Sequence, residues 1–173
     1  MNARIARGHN VLVTGIGGGV ALLAMQLCLA LGARVYVTSG SDAKLAHAVA
    51  LGAAGGVNYT HGQFSQPFFF FFLRDPLWMR SIVKQKVTLC TKGDWPAALK
   101  NVLGESLLDS VLDSAGGPIA QQVGRVLRPG GRIVLYGMTV APQASFTMRE
   151  VLRNQQLIGR SDELPPSFSR LRR

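Results

Sequence analysis

Four glycines in five positions, Gly15, Gly17, Gly18 and Gly19, interrupt a run from Gly8 to Ala33 that holds no Asp, Glu, Lys or Arg. This interruption constrains the fold more than any other feature. Ahead of it stands a β-branched segment, Val11–Thr14. Behind it an apolar stretch runs to Leu31, followed by Arg34-Val35-Tyr36-Val37-Thr38. The order is strand, glycine turn, helix, strand. A backbone without Cβ atoms can approach a pyrophosphate at a helix N-terminus, so this order suits dinucleotide binding.

The same run, with Arg4 and Arg7 before it, has the flanks of a membrane anchor. The glycines split it into a five-residue strand and a helix of about 13 residues, too short to span a bilayer. A membrane-anchored protein is therefore only an alternative reading. The net charge of +10 on 173 residues invites a nucleic-acid partner. Much of the excess, however, lies in two segments. Residues 61–93 carry Arg74, Arg80, Lys84, Lys86 and Lys92 against Asp75, and residues 159–173 carry four arginines against Asp162 and Glu163. Neither has interleaved aromatic and basic residues on a strand, and the expectation is no nucleic-acid partner. Cys28 and Cys90 are isolated, which fits a reducing, cytoplasmic setting. With His9, His47 and His61 they form no metal-ligand spacing, so no metal site and no zinc are expected.

Further along, Ser41 or Asp42 can cap a helix that stops at Leu51-Gly52, and Gly56–Tyr59 reads as a third strand. The pattern breaks between His61 and Gly93, which includes Phe68-Phe69-Phe70-Phe71-Phe72. It resumes with a helix from Asp94, with proline in its first turn. A strand over Leu107–Asp113, a helix over Pro118–Leu127 and a strand over Arg132–Tyr136 follow. Met148–Asn154 reads as a helix and Gln156–Gly159 as a sixth strand. Alternating strands and helices predict an α/β fold with a Rossmann-type, doubly wound parallel sheet, here incomplete and carrying an irregular insertion. The expected organisation is one nucleotide-binding domain over 1–173, with 61–93 as the insertion and 160–173 as a disordered tail. Ligands then bind beyond the strands' carboxyl ends, which carry Thr14-Gly15, Thr38-Ser39, Asn58-Tyr59, Asp113-Ser114 and Tyr136-Gly137.

The segments Val11–Ala21, Leu31–Val35, Leu51-Gly52-Ala53, Asp113–Gly117 and Leu127–Arg132 together resemble the cofactor domain of the medium-chain dehydrogenase/reductase superfamily. They look most like its zinc-independent quinone-reductase and alcohol-dehydrogenase-like branches. The likeness covers about 4–60 and 94–159. Gly15, Gly18 and Ala21 fit the spacing A-x-x-G-x-x-G/A, which puts Gly15 and Gly18 at the pyrophosphate turn and Ala21 at the helix–strand contact, and Gly19 joins the cofactor-binding set. Enzymes that prefer NAD place an acidic residue at the end of the second strand; this chain has Ser39, with Lys44 one turn on, which suits a 2′-phosphate. The resemblance implies that Lys44 and Tyr59 hold the adenosine phosphate end of NADPH, in preference to NADH. Ser114 and Gly137, at strand ends, complete the expected cofactor set.

The resemblance also implies an oxidoreductase that transfers hydride to a quinone, enone or similar carbonyl compound. Family members carry a further, N-terminal domain that supplies most of the substrate pocket, and no catalytic residue is identified in this chain. A truncated, weakly active or inactive unit is therefore expected, taking a small-molecule substrate only if the missing domain is supplied. A non-catalytic nucleotide-binding or interaction module is the alternative. Sheet-edge pairing of the kind this family uses leaves a homo-oligomer open. The five phenylalanines resemble translated pyrimidine-rich DNA, and 61–93 is expected to be an unspliced or wrongly delimited insertion, with a genuine surface loop or an interaction segment as the alternatives.

Overall fold

Seven strands form one parallel sheet in the computed structural model, which describes residues 3–60, 87–88, 94–144 and 157–160. In chain order the elements are β1 (Asn10–Val13), α1 (Gly19–Ala30), β2 (Arg34–Ser39), α2 (Asp42–Ala50), β3 (Gly55–Asn58) and β4 (Val87–Thr88). Then come α3 (Trp95–Leu103), β5 (Leu108–Asp113), β6 (Gly116–Gly117), α4 (Ile119–Val123), β7 (Leu127–Leu135), β8 (Ala141–Ala144) and β9 (Leu157–Arg160). The sheet order is β4-β3-β2-β1-β5-β7-β9, and β6 pairs with β8 apart from it. Every pairing in the sheet is parallel. This is the Rossmann-type α/β fold expected from the sequence.

The two-residue period of the strands divides the core. Val11, Val13, Val35 and Val37 face one layer, where Ala21, Met25 and Cys28 of α1 and Leu45 and Ala48 of α2 cover them. Leu12, Tyr36, Val57, Val111 and Ile133 face the other, under Trp95, Leu99 and Val102 of α3 and Ala120 and Val123 of α4. Helices on both faces explain why β1 is apolar at successive positions: every side chain from Val11 to Val13 is fully buried. The break in strand order falls between β1 and β5, where successive crossovers run in opposite directions along the sheet.

Local signals set most element ends. Asp94 caps α3, its carboxylate accepting the Ala97 N–H at 3.2 Å, and proline stands in the first turn. Four expectations need correction. Ser41 is the N-cap of α2 but makes no side-chain capping bond. Asp42 instead accepts the Asn58 amide at 2.6 Å, tying α2 to the end of β3. The helix expected over Pro118–Leu127 is only α4, because Leu127 must pair with Leu108 of β5. Pro129-Gly130-Gly131 is not a turn before a strand but an irregular stretch inside β7, with the register shifting between Leu108 and Ser110 of β5. Finally, Val87–Thr88, inside the segment read as an insertion, forms the edge strand β4 against Gly56 and Val57. The phenylalanine run, Cys90, the helix read over Met148–Asn154 and residues 161–173 lie outside the described residues. Among the described residues no helix is long and apolar enough to cross a membrane.

Candidate functional site

The crevice beyond β1 and β5 is organised by a buried carboxylate. Asp113 has no solvent exposure. It accepts Thr14 Oγ1–H at 2.5 Å, the Ala115 N–H at 3.0 Å and the Gly116 N–H at 2.8 Å. Three donors compensate the burial of its charge. Thr14 in turn accepts the Ser114 N–H at 3.1 Å, and the Ser114 hydroxyl donates to the Thr14 carbonyl at 3.4 Å. Strands β1 and β5 are thereby locked together at their carboxyl ends. Thr38, at the end of β2, completes the frame: its hydroxyl accepts the Gly15 N–H at 3.3 Å and its carbonyl the Ile16 N–H at 2.8 Å.

On this frame the glycines differ in what they are for. Gly15 has φ +67°, and a Cβ there would lie 2.8 Å from Ser114 Oγ. At Gly137 a Cβ would lie 2.7 Å from the Ser114 carbonyl oxygen. Both are glycines for internal reasons. Gly18 and Gly19 are not: no atom lies within 4 Å of a Cβ at either, and Gly18 has φ −93° and ψ 151°, which any residue adopts. Gly18 is also the N-cap of α1, with no side-chain capping bond, and the first turn holds no acidic residue. The first N–H groups of this 12-residue helix thus start at two glycines with open space where their side chains would stand, which fits an anionic group.

A cavity of about 390 Å³ joins Gly15, Gly17 and Gly18 to Ser39, Ser41, Lys44 and Tyr59. Ser39 is buried, and its oxygen accepts the Ser41 N–H at 3.2 Å, leaving its own hydroxyl proton to donate. Tyr59 is half exposed, held by its N–H to the Ser39 carbonyl at 3.1 Å, with its ring against Gly40. Lys44 is exposed, and among the described residues no carboxylate pairs with it. A second cavity of about 500 Å³, which shares Lys44, Gly17 and Gly18 with the first, is also lined by Gly19, Leu22, Ala43 and His47. Of the eight sequence-derived residues, five line the smaller cavity. Gly19 lines the larger one, and Ser114 and Gly137 stand behind Gly15.

Sequence reasoning placed Thr14, Thr38 and Asp113 at strand ends but gave them no role; their hydrogen bonds assemble the crevice. A buried aspartate ending an apolar strand was the available signal. Beside it, burial pushes the Tyr136 phenol above its ordinary pKa, opposed by the Ser114 hydroxyl and assisted by the Asp113 charge. Among the described residues no group of three or more His, Cys, Asp or Glu is arranged to hold a metal ion.

No family model matches the chain. It is 39% identical over 154 residues to the zinc-type alcohol dehydrogenase-like protein YogA of Leptosphaeria maculans, a match covering 88% of this chain and 35% of that protein. Among solved structures, an NAD-dependent alcohol dehydrogenase superposes with a TM-score of 0.66 at 28% identity, covering 91% of this chain and 37% of the other. A mycobacterial quinone oxidoreductase does so with a TM-score of 0.65 at 19% identity, over 92% and 40% respectively, which shows a shared fold. The chain spans about a third of the length of that alcohol dehydrogenase-like relative.

Proposed function

We propose, starting from the premise that this chain is homologous to the zinc-type alcohol dehydrogenase-like proteins and has the nucleotide-binding fold of alcohol and quinone oxidoreductases, that it is an NADPH-binding domain. The observation that carries this reading is the pair Gly18 and Gly19, whose missing side chains have no internal purpose but leave the α1 N-terminus open. Their N–H groups and those that follow would hold the pyrophosphate, with Gly15 shaping the turn. Ser39, Lys44 and Tyr59 would hold the adenosine phosphate end. Ser114 and Gly137, across the break in strand order, would border the nicotinamide half.

The preference for NADPH rests on charge. No acidic residue ends β2, where Ser39 offers a hydroxyl proton and Lys44 a cation that no carboxylate among the described residues pairs with, toward a 2′-phosphate. Asp42, the nearest carboxylate along the chain, is engaged by Asn58. A bound nicotinamide would supply hydride, and the acceptor class favoured by the family resemblance is a quinone, enone or similar carbonyl compound. The chain's own part is to bind and orient the cofactor; the rest of the substrate pocket would come from the length that its relatives have and this chain does not span. Although the curated relative is named zinc-type, no zinc role is assigned to the described residues. Calorimetric titration of the purified chain with NADPH, and with NADH as the control, tests the reading. Micromolar NADPH binding with much weaker NADH binding is expected; a folded sample that binds neither overturns it.

A further inference from the structure

Lys44 reaches the glycine turn from the neighbouring helix and lies where a side chain on Gly17 would stand. A Cβ at Gly17 would fall 2.6 Å from Lys44 Cδ, closer than nonbonded carbon atoms approach, and 3.0 Å from Lys44 Nζ, a tight contact. The position also has φ +142°, a conformation that favours glycine. Lys44 lines both cavities, as do Ile16, Gly17 and Gly18, whereas His47, one turn further along α2, lines only the larger. Ser39 and Tyr59 stand with Lys44 at the smaller cavity.

We propose that Gly17 is a positioning residue for cofactor selectivity: it seats the Lys44 stem and so places the ammonium at the smaller cavity, where a ribose 2′-phosphate would be read. The inference rests on the nucleotide-binding reading above. Gly17 would contribute no contact to the phosphate itself. With the seat filled, the flexible lysine must swing away, and the cation is lost to the smaller cavity while the pyrophosphate turn keeps Gly15, Gly18 and Gly19.

The test is a double-mutant cycle read by calorimetry with NADPH and NADH on wild type, Gly17→Ala, Lys44→Met and the double variant. Loss of one charge-assisted contact weakens NADPH by about tenfold to a hundredfold. Gly17→Ala is expected to weaken NADPH by that factor beyond whatever loss the strained turn causes for NADH, and the double variant to bind NADPH no more weakly than Lys44→Met relative to NADH. Additive losses, or equal losses for both nucleotides, overturn the positioning role. A wild type that binds neither nucleotide overturns the nucleotide reading, which is a different failure. Because Gly17→Ala strains the backbone, a second measurement uses the native backbone. In the NMR spectrum of the cofactor-free protein, Lys44→Ala and added adenosine 2′-phosphate should each shift the Gly17 amide resonance. An unmoved resonance overturns the seat.

Discussion

Replacing Gly18 by aspartate should move stability and binding in opposite directions. Gly18 is the N-cap of α1, in an extended conformation, with nothing within 4 Å of a Cβ and no acidic residue in the first turn. Aspartate fits there without strain. Its carboxylate can accept a first-turn N–H, worth a few tenths of a kcal/mol over glycine. Its charge at the positive end of the helix adds about 0.3–1 kcal/mol. Together these give a gain of about 0.5–1 kcal/mol, or a rise in Tm of about 1–4 °C for a domain of this size. A pyrophosphate on the same N–H groups would meet that carboxylate at about 5 Å, where like charges cost about 3 kcal/mol at an effective dielectric of 20. NADPH affinity should therefore fall by at least a hundredfold. Differential scanning fluorimetry reads the first effect and calorimetric titration the second. A Gly18→Asp protein that is less stable, or that binds NADPH like wild type, refutes the reasoning that these glycines are kept for a ligand.

Four further outcomes follow from the same geometry. Asp113→Ala leaves the Thr14 hydroxyl and the Ala115 and Gly116 N–H groups without their acceptor, and should cost about 3 kcal/mol or more in urea unfolding; Asp113→Asn should cost less, and equal costs would show that the hydrogen bonds are not the source. Leu99→Ala, in the α3 face of the core, should cost about 2–5 kcal/mol. Leu27→Gln, on the exposed face of α1, should stay within about 0.5 kcal/mol, and a large loss there would mean the helix face is covered. Burial holds the Cys28 thiol above its ordinary 9.0, so the unfolded chain ionises first as pH rises. Stability from this group is complete below about pH 9 and declines above it. Thermal unfolding of wild type and Cys28→Ala between pH 8 and 10 checks this: the variant should lose part of the alkaline slope, and an unchanged slope assigns it elsewhere.

What the sequence determined by itself is what neighbouring residues decide between them. Buried parallel strands are continuous apolar runs, so β1, β2 and β5 could be located to within a residue or two. The glycine turn and the Asp94 cap declare helix starts through local backbone requirements, and both start helices here. The tertiary structure alone decided the rest, because it depends on which strands become neighbours and in what register. Pairing with β5 holds Leu127 and Arg132 on either side of Pro129-Gly130-Gly131, which stand unpaired as an irregularity inside β7, and pairing with β3 makes a strand of Val87–Thr88. Asp113 meets Thr14 across 99 positions only because β5 lies beside β1. Lys44 finds Gly17 only because α2 packs against the same face of the sheet as α1. Backbone preferences act over a few residues and can be read along the chain. A seat for a lysine or a cage for a carboxylate is a contact between segments, and it exists only once the sheet has put those segments side by side.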